Sequence, residues 1–528
     1  MSRSILKQSS KIGFLSLISR CIAFVREWLL IQYFSVGDTS DIFYAAFRIP
    51  NTMRKIFAEG ALASILVPAC ISVHKKEGDD GLSKITSLSL FVIQGIIILI
   101  CSIIFYWSFA TVKLIVPGFS DAKIIATANL LRILISFIIF ISSGAIIASA
   151  LQSQKKFFIP AVAPSILNVS YILSLIICLY CKFSVNTFCW YVIGTSVLYF
   201  LLHLIAYLKY NYEFKAPTKE TFYELKIILL QLIPCIVSVG IGEINHFINT
   251  GFASYLASGS MTLIRSSFQF VNIPVGIITA SLVTVLLPHF SKLHLENPEE
   301  VENHLFEAIK FTIWTTMPIC FMLFLFSEHI FETLFMGDLQ ALSKIALAKS
   351  IFNAYLIGLL SFSLNKIFLS IFYALRLTMI PMIASIIAIA INYSLSEHLI
   401  NYYGASGVAL AASISAIIQT LLLSLFLSKY LKLSLSGKKW FNFILNYALQ
   451  IIFSSTALWF MYKVGCVIIS ALKINLHIAW FTFTSESFLH GLGIWFWVGP
   501  LCLAYLAALY FSRKFFKIYL SYFDEKKS

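Results

Sequence analysis

Charge is what this chain has least of: Asp, Glu, Lys and Arg make up 12% of 528 residues, against about 25% in an ordinary soluble domain. Hydrophobic residues make up 59%, and no polar stretch is long enough to build a soluble catalytic domain. The ten cysteines (Cys21, Cys70, Cys101 and others) lie singly in apolar runs and read as small buried hydrophobes. The one CxxC, Cys178 and Cys181, has no second pair, so a redox or metal role is not expected. Neither an HExxH nor a paired metal spacing occurs among the ten histidines. The only GK dipeptide, in LSLSGKKW, lacks the upstream glycine and following Ser or Thr of a phosphate-binding loop. These absences argue against metal catalysis, ATP hydrolysis and covalent chemistry, so an enzyme is not expected.

What is present is apolar sequence in lengths that suit a bilayer, about 20 residues per helical crossing. The expected fold is an all-α polytopic membrane protein of fourteen transmembrane helices. They fall near 11–34, 42–73, 87–111, 124–151, 158–181, 187–208, 227–256, 262–290, 305–327, 350–374, 378–396, 404–428, 441–462 and 490–511. The first is too long and too charged for a signal-peptide core and reads as a retained span. Alternating from a cytoplasmic N-terminus puts most basic loop residues inside, among them Lys75, Lys76, Lys84, Lys215, Lys429 and Arg513. The other side keeps only Lys113, Lys123, Lys182, Lys344, Lys463 and Lys473. Both termini are therefore expected in the cytoplasm. This bias also accounts for much of the net charge of +15, because anionic headgroups attract it; nucleic acid is not an expected partner.

An internal repeat organises the spans. ASILVPACISVHKKE (63–77) resembles VTVLLPHFSKLHLEN (283–297), and FFIPAVAPSILNVSYI (157–172) resembles TMIPMIASIIAIAINY (378–393). Pro68 matches Pro288 and Pro160 matches Pro381 at spacings that differ by one residue. The expected domains are an N-terminal six-helix lobe (1–210), a C-terminal six-helix lobe (225–430) and two further helices (440–512). An irregular external segment is expected at 463–489. Two like-oriented halves are a transporter plan, with the substrate path between them.

Charge inside the spans is the informative remainder. Arg20, Arg26 and Glu27 lie in the first span, and DIFYAAFRIPNTMRKIFAEGA (41–61) carries Asp41, Arg48, Arg54, Lys55 and Glu59 around Pro50. Each ionisable group costs about 2.5–3.5 kcal/mol at the bilayer centre on insertion scales, so these groups face one another or a water-filled cavity. One reading is a buried ion-pair network that only holds helices together; Lys55 and Glu59 have i,i+4 spacing, and Arg48 and Lys55 can snorkel to an interface. Against it, basic residues exceed acids in these two spans. A half-buried cationic cavity calls for an anion, and arginine suits phosphate because its planar fork binds bidentately. The second half offers Glu243, Asn245 and His246 in the seventh span, and Arg265 one turn before Gln269 in the eighth. Pro50 and Pro274 are expected kink points.

The stretches SRCIAFVREWLL (19–30), DIFYAAFRIPNTMRKIFAEGALASILVP (41–68), FASYLASGS (252–260) and IPVGIITASLVTVLLPHFSK (273–292) resemble the MurJ/MviN family. These are lipid II flippases of the multidrug/oligosaccharidyl-lipid/polysaccharide exporter superfamily. The resemblance runs end to end and implies two lobes around a cationic cavity, with two C-terminal helices forming a lipid-facing groove. It implies transport of lipid II across the bacterial inner membrane for peptidoglycan and cell-wall biogenesis. No cofactor is implied beyond a coupling ion, and cell-wall synthesis machinery and membrane lipids are the implied partners. The family's essential arginines fall on Arg20, Arg26 and Arg54, and polar cavity positions on Asn51 and Asn168. Charge-balancing or gating acids fall on Glu27, Asp41 and Glu59, with Glu243 an addition where the family commonly has a neutral residue. The family's eighth-span arginine falls on Gln269, preceded by Phe268 in place of an acid. Arg265 is the expected substitute. A flippase for another polyprenyl-diphosphate oligosaccharide and a multidrug or cation antiporter are the alternative readings.

Overall fold

The computed structural model describes residues 22–520 except 280, 285, 287–288, 291–299, 376, 378, 431–436, 473–474, 479–480 and 485–487. The chain parts into two compact units, Cys21–Thr262 and a second that contains Leu263–Ser528.

The first unit opens with α1 (22–34) and α2 (Asp38–Arg54). A wide π-helical turn, Lys55–Gly60, leads without a loop into α3 (Ala61–Tyr106). Inside α3 the backbone breaks at Gly78, at φ 65° and ψ −153°. Side chains other than hydrogen are excluded from that region, and the break falls in the charged stretch HKKEGDDGLSK between two apolar runs. The next helices are α4 (Ser108–Ile115), α5 (Asp121–Leu134), α6 (Phe137–Ser153), α7 (Phe158–Tyr180), α8 (Val185–Lys209) and α9 (Lys219–Ala253). α3 packs on α6 and on α9, α6 and α7 on α8, and α2 on α5. Phe34, Phe43 and Phe188 form an aromatic knot among α1, α2 and α8, with ring centroids 4.6–5.7 Å apart. The helix that follows the polar linker thus packs on the first unit.

α10 (Ser260–Pro274) crosses from one unit to the other and ends in a second wide turn, Val275–Thr279. The two wide turns stand at the spacing that separates the matched prolines. Both kink expectations meet different outcomes here. α-Helix continues through Pro50, the disturbance coming only at Lys55, whereas the turn at Val275 follows Pro274 directly. A single missing N–H is tolerated where neighbouring helices hold the chain.

The second unit continues with α11 (Glu300–Leu325), α12 (Ser327–Leu334), α13 (Ile345–Ile357), α14 (Leu359–Ala374), α15 (Met379–Tyr403), α16 (Ala405–Tyr430), α17 (Gly437–Ala471) and α18 (Trp495–Ser512). α16 packs on α13, α14 and α15. Gly358 marks the 40° bend between α13 and α14. A Cβ there would stand 2.9 Å from the Ser413 backbone of α16, so only glycine allows this approach. Trp314 Nε1 donates to Gln450 Oε1 (3.2 Å), and Gln450 Nε2 donates to the Leu509 carbonyl (2.7 Å), so one buried amide ties α11, α17 and α18 together. The segment expected to be irregular at 463–489 differs. α17 runs on to Ala471, because KVGCVIISA continues the apolar helix. Asn475–Ile478 then pairs antiparallel with Phe481–Thr484, Asn475 opposite Thr484 and Ile478 opposite Phe481.

The chain is all-α apart from this hairpin among the described residues. Ten of its helices are long and apolar enough to cross a membrane, eleven with the bent α13–α14 pair. The expected fourteen is not reached by that count. Asp38–Tyr106 counts once while carrying the expected second and third spans, the first expected span begins among residues 1–21, outside the described part, and α9, at the expected seventh span, is not among those counted.

Candidate cationic substrate site

Arg26 lies on α1 with its side chain turned to α7. Its Nη1 donates to Asn168 Oδ1 at 2.9 Å, and its guanidinium stands 5.6 Å from the centre of the Tyr171 ring. The Asn168 amide donates in turn to the Pro164 carbonyl at 3.1 Å, which fixes its orientation. Glu27, the next residue, is buried and accepts from the Tyr44 hydroxyl of α2 at 3.3 Å.

Arg54 ends α2 where the wide turn begins. Asn51, one turn earlier, accepts from its Nη2 (3.0 Å) and Nε (3.3 Å). Arg54 is half-buried and lines a cavity of about 250 Å³ together with Ser149, Gln152, Pro160, Pro164 and Tyr199. The matched proline of the repeat therefore borders the same space as the arginine. Arg26 and Arg54 thus lie in one unit, each oriented by an asparagine, and both asparagines are residues singled out from the sequence.

Arg48 and Lys55 depart from the interfacial reading. Arg48 on α2 and Lys55, two turns on at the start of the wide turn, both meet α9: Lys55 Nζ pairs with Glu243 Oε1 at 2.8 Å, and Arg48 lies over the Phe247 ring at 5.6 Å. Glu243 is 9% exposed. Lys55 takes this distant acid as partner, a pairing that chain spacing could not show; the Glu59 side chain lies outside the described residues.

Asp41 is buried near the start of α2. Its carboxylate accepts from the Gly259 N–H (2.7 Å), the Thr262 N–H (2.9 Å) and the Thr262 hydroxyl (2.6 Å). The same hydroxyl donates to Ser40 Oγ at 2.8 Å. Asp41 therefore satisfies the otherwise open donors at the entry to α10, as an N-capping anion does.

Arg265 and Gln269 stand one turn apart on α10 in the second unit, both half-buried. Phe268 packs against Tyr355 and Phe362, with ring centroids 5.2 and 5.8 Å away, so the position that carries an acid in the resembled family is a packing position here. Arg20 lies outside the described residues. Cys178 is buried, Cys181 exposed, and both are free thiols.

The second unit has its own apolar cavity of about 240 Å³, lined by Leu305, Phe306, Phe368, Leu427 and Trp440 among others. α17 beside it exposes Phe441, Ile444, Leu449, Ile452 and Phe453, the pattern of a helix that faces lipid.

Comparison with known proteins bears on these arrangements. A family profile described as "Lipid II flippase MurJ" matches residues 30–477. A probable lipid II flippase MurJ of Buchnera aphidicola is 32% identical over 438 residues, covering 80% of this chain and 82% of that one. The lipid II flippase MurJ of Burkholderia cenocepacia is 28% identical over 428 residues, covering 78% and 82%. Among solved structures, a lipid II flippase MurJ in an inward closed conformation superposes with a TM-score of 0.76 at 24% identity, covering 96% of this chain and 98% of that one. An inward-facing multidrug resistance MATE transporter of the MOP superfamily superposes at 0.67 with 14% identity, over 78% and 94%. The two structural likenesses speak to the fold alone.

Proposed function

The chain belongs to the lipid II flippase MurJ family, and from that premise we propose how it carries its cargo. It moves lipid II, the peptidoglycan precursor on a polyprenyl diphosphate, from the cytoplasmic to the periplasmic leaflet of the inner membrane by alternating access. Fourteen spans, with both termini cytoplasmic, hold two six-helix lobes and a C-terminal pair. Arg26 and Arg54, with Arg20, clamp the diphosphate, and Arg265 is the second unit's own phosphate ligand in place of Gln269. The observation that carries this reading is Arg54 on the wall of the 250 Å³ cavity with its fork held by Asn51. A pre-oriented guanidinium loses little freedom when it takes a phosphate. The polyprenyl tail stays in lipid along α17 and the apolar cavity beside it.

Asp41 acts as the latch of the periplasmic end. Its three accepted hydrogen bonds hold the start of α2 to the start of α10 and yield when that end opens. Moving a diphosphate outward from a negative interior gains about 2.3 kcal/mol per charge per 100 mV, so membrane potential or a coupled ion supplies the drive.

The test is rescue of a depleted host with a leaflet-specific lipid II accessibility assay. Arg54→Ala is expected to leave lipid II on the cytoplasmic side at normal protein levels. Wild-type translocation by that variant would remove Arg54 from the mechanism.

A further inference from the structure

We propose that His329, Glu332 and His490 form a site for one divalent transition-metal ion, Zn2+ by the chemistry of its donors. His329 and Glu332 stand one turn apart on α12, and His490 arrives from the segment that leads into α18. One donor atom from each lies within 4.8 Å of the other two. His329 Nδ1 is 2.8 Å from Glu332 Oε2, and His490 Nδ1 is 3.2 Å from Glu332 Oε1. Two imidazoles thus converge on one carboxylate.

Two nitrogens and one oxygen are a donor set that suits zinc, with bonds of about 2.0–2.2 Å and a fourth position left open. A tetrahedral ion with such bonds sets its donors roughly 3.4 Å apart; the two histidine–carboxylate contacts lie within about 0.6 Å of that, and the donors, all within 4.8 Å of one another, close around the ion by side-chain rotation. Surrounding groups hold them for this. His329 Nε2 lies 2.6 Å from the Tyr462 hydroxyl, a contact of the kind that fixes the ring and tautomer of a ligating histidine. With the ion bound, Nδ1 gives its lone pair to the metal and Nε2–H donates to the Tyr462 oxygen.

The scaffold is rigid on both sides. Thr333 Oγ1 donates to the Gly491 carbonyl (2.9 Å), and Trp495 Nε1 donates to Thr333 Oγ1 (2.8 Å). The Tyr462 ring stacks on Trp497 at 5.7 Å between centroids, above the buried cluster of Phe326, Ile494 and Val498. Glu328, the other acid of α12, is engaged by Lys349 at 2.8 Å and is left out of the site. His490 is exposed, which gives an ion a way in. Chain spacing did not show this grouping, because His490 is far along the sequence from His329 and Glu332. The ion would pin α12 to the entry of the last helix and is independent of the cargo proposed above.

The full chain, purified in detergent without a histidine tag, is titrated with Zn2+ by calorimetry and by thermal unfolding, beside His490→Ala and Glu332→Gln. One equivalent is expected to bind the wild type and raise its Tm, with affinity reduced by about 10–100-fold in each variant. His490→Ala removes an exposed side chain and so keeps the fold while deleting a ligand. Equal Zn2+ affinity in wild type and His490→Ala, no Tm response in the wild type, or equal affinity for Mg2+ and Zn2+ would each overturn the proposal.

Discussion

Replacing Asp41 by alanine removes one carboxylate and strands three donors. The Gly259 and Thr262 N–H groups and the Thr262 hydroxyl all point at it, and the site is buried, Asp41 being 3% exposed. A hydrogen bond to a charged group is worth about 1.5–3 kcal/mol in soluble proteins. Side-chain bonds measured within membranes average nearer ~0.6 kcal/mol, because the alternative state also finds partners. Three such bonds would therefore contribute roughly 2–9 kcal/mol to the proposed latch. At about 1.4 kcal/mol per tenfold, the closed-to-open ratio should fall at least ~25-fold. The assay uses Ser260→Cys, which is 3% exposed beside the latch, in a background from which the ten native cysteines are removed. A membrane-impermeant maleimide added from the periplasmic side is expected to label Cys slowly in the parent and at least ~25-fold faster with Asp41→Ala. Asp41→Asn, which retains an acceptor oxygen, should fall between. Equal labelling in parent and Asp41→Ala would refute the latch, because contacts of this strength cannot be lost from a closed state without changing its population.

Glu243→Gln leaves Lys55 half-buried without its carboxylate and should lower stability by about 3 kcal/mol or somewhat less, read as a drop in Tm; adding Lys55→Met should recover most of it, and no recovery would mean that the pair is not the cause. Gly78→Ala forces a side chain into the φ 65°, ψ −153° region and should cost about 1–3 kcal/mol in thermal unfolding while leaving lipid II binding unchanged. Arg265→Ala should abolish rescue of a depleted host if Arg265 stands in for Gln269; full rescue would show that the second unit needs no arginine at that level.

Helices were legible because apolar runs of membrane length announce themselves, Arg26 and Arg54 because charge in such runs has few explanations, and Asn51 and Asn168 only through the family resemblance. Pairings were not. Lys55 offered Glu59 at helical spacing, yet the structure joins it to Glu243, since contact between helices depends on packing that no local period encodes. Asp41 looked like a counter-charge for arginine, and only the fold shows that backbone N–H groups at the entry to α10 take it up. α17 runs past the expected end of its span at 462, because apolar residues on either side of Lys463 and Gly465 sustain the helix there. His490 joined His329 and Glu332 for the same reason that Glu243 joined Lys55.

The wide turns at Lys55–Gly60 and Val275–Thr279 have a mechanical consequence. A π-helical turn holds one residue more than the α-helix around it. Tightening it to α pitch would rotate the following helix by about 100° and advance it by about 1.5 Å relative to the preceding one. No backbone group would be bared to lipid, since every N–H finds a carbonyl in either register. Arg54 and Lys55 sit at the edge of the first such turn, on either side of the point where the register would change. A one-residue shift there would re-aim the Arg54 side chain relative to the rest of the span, and the second wide turn offers the same gear tooth to α10.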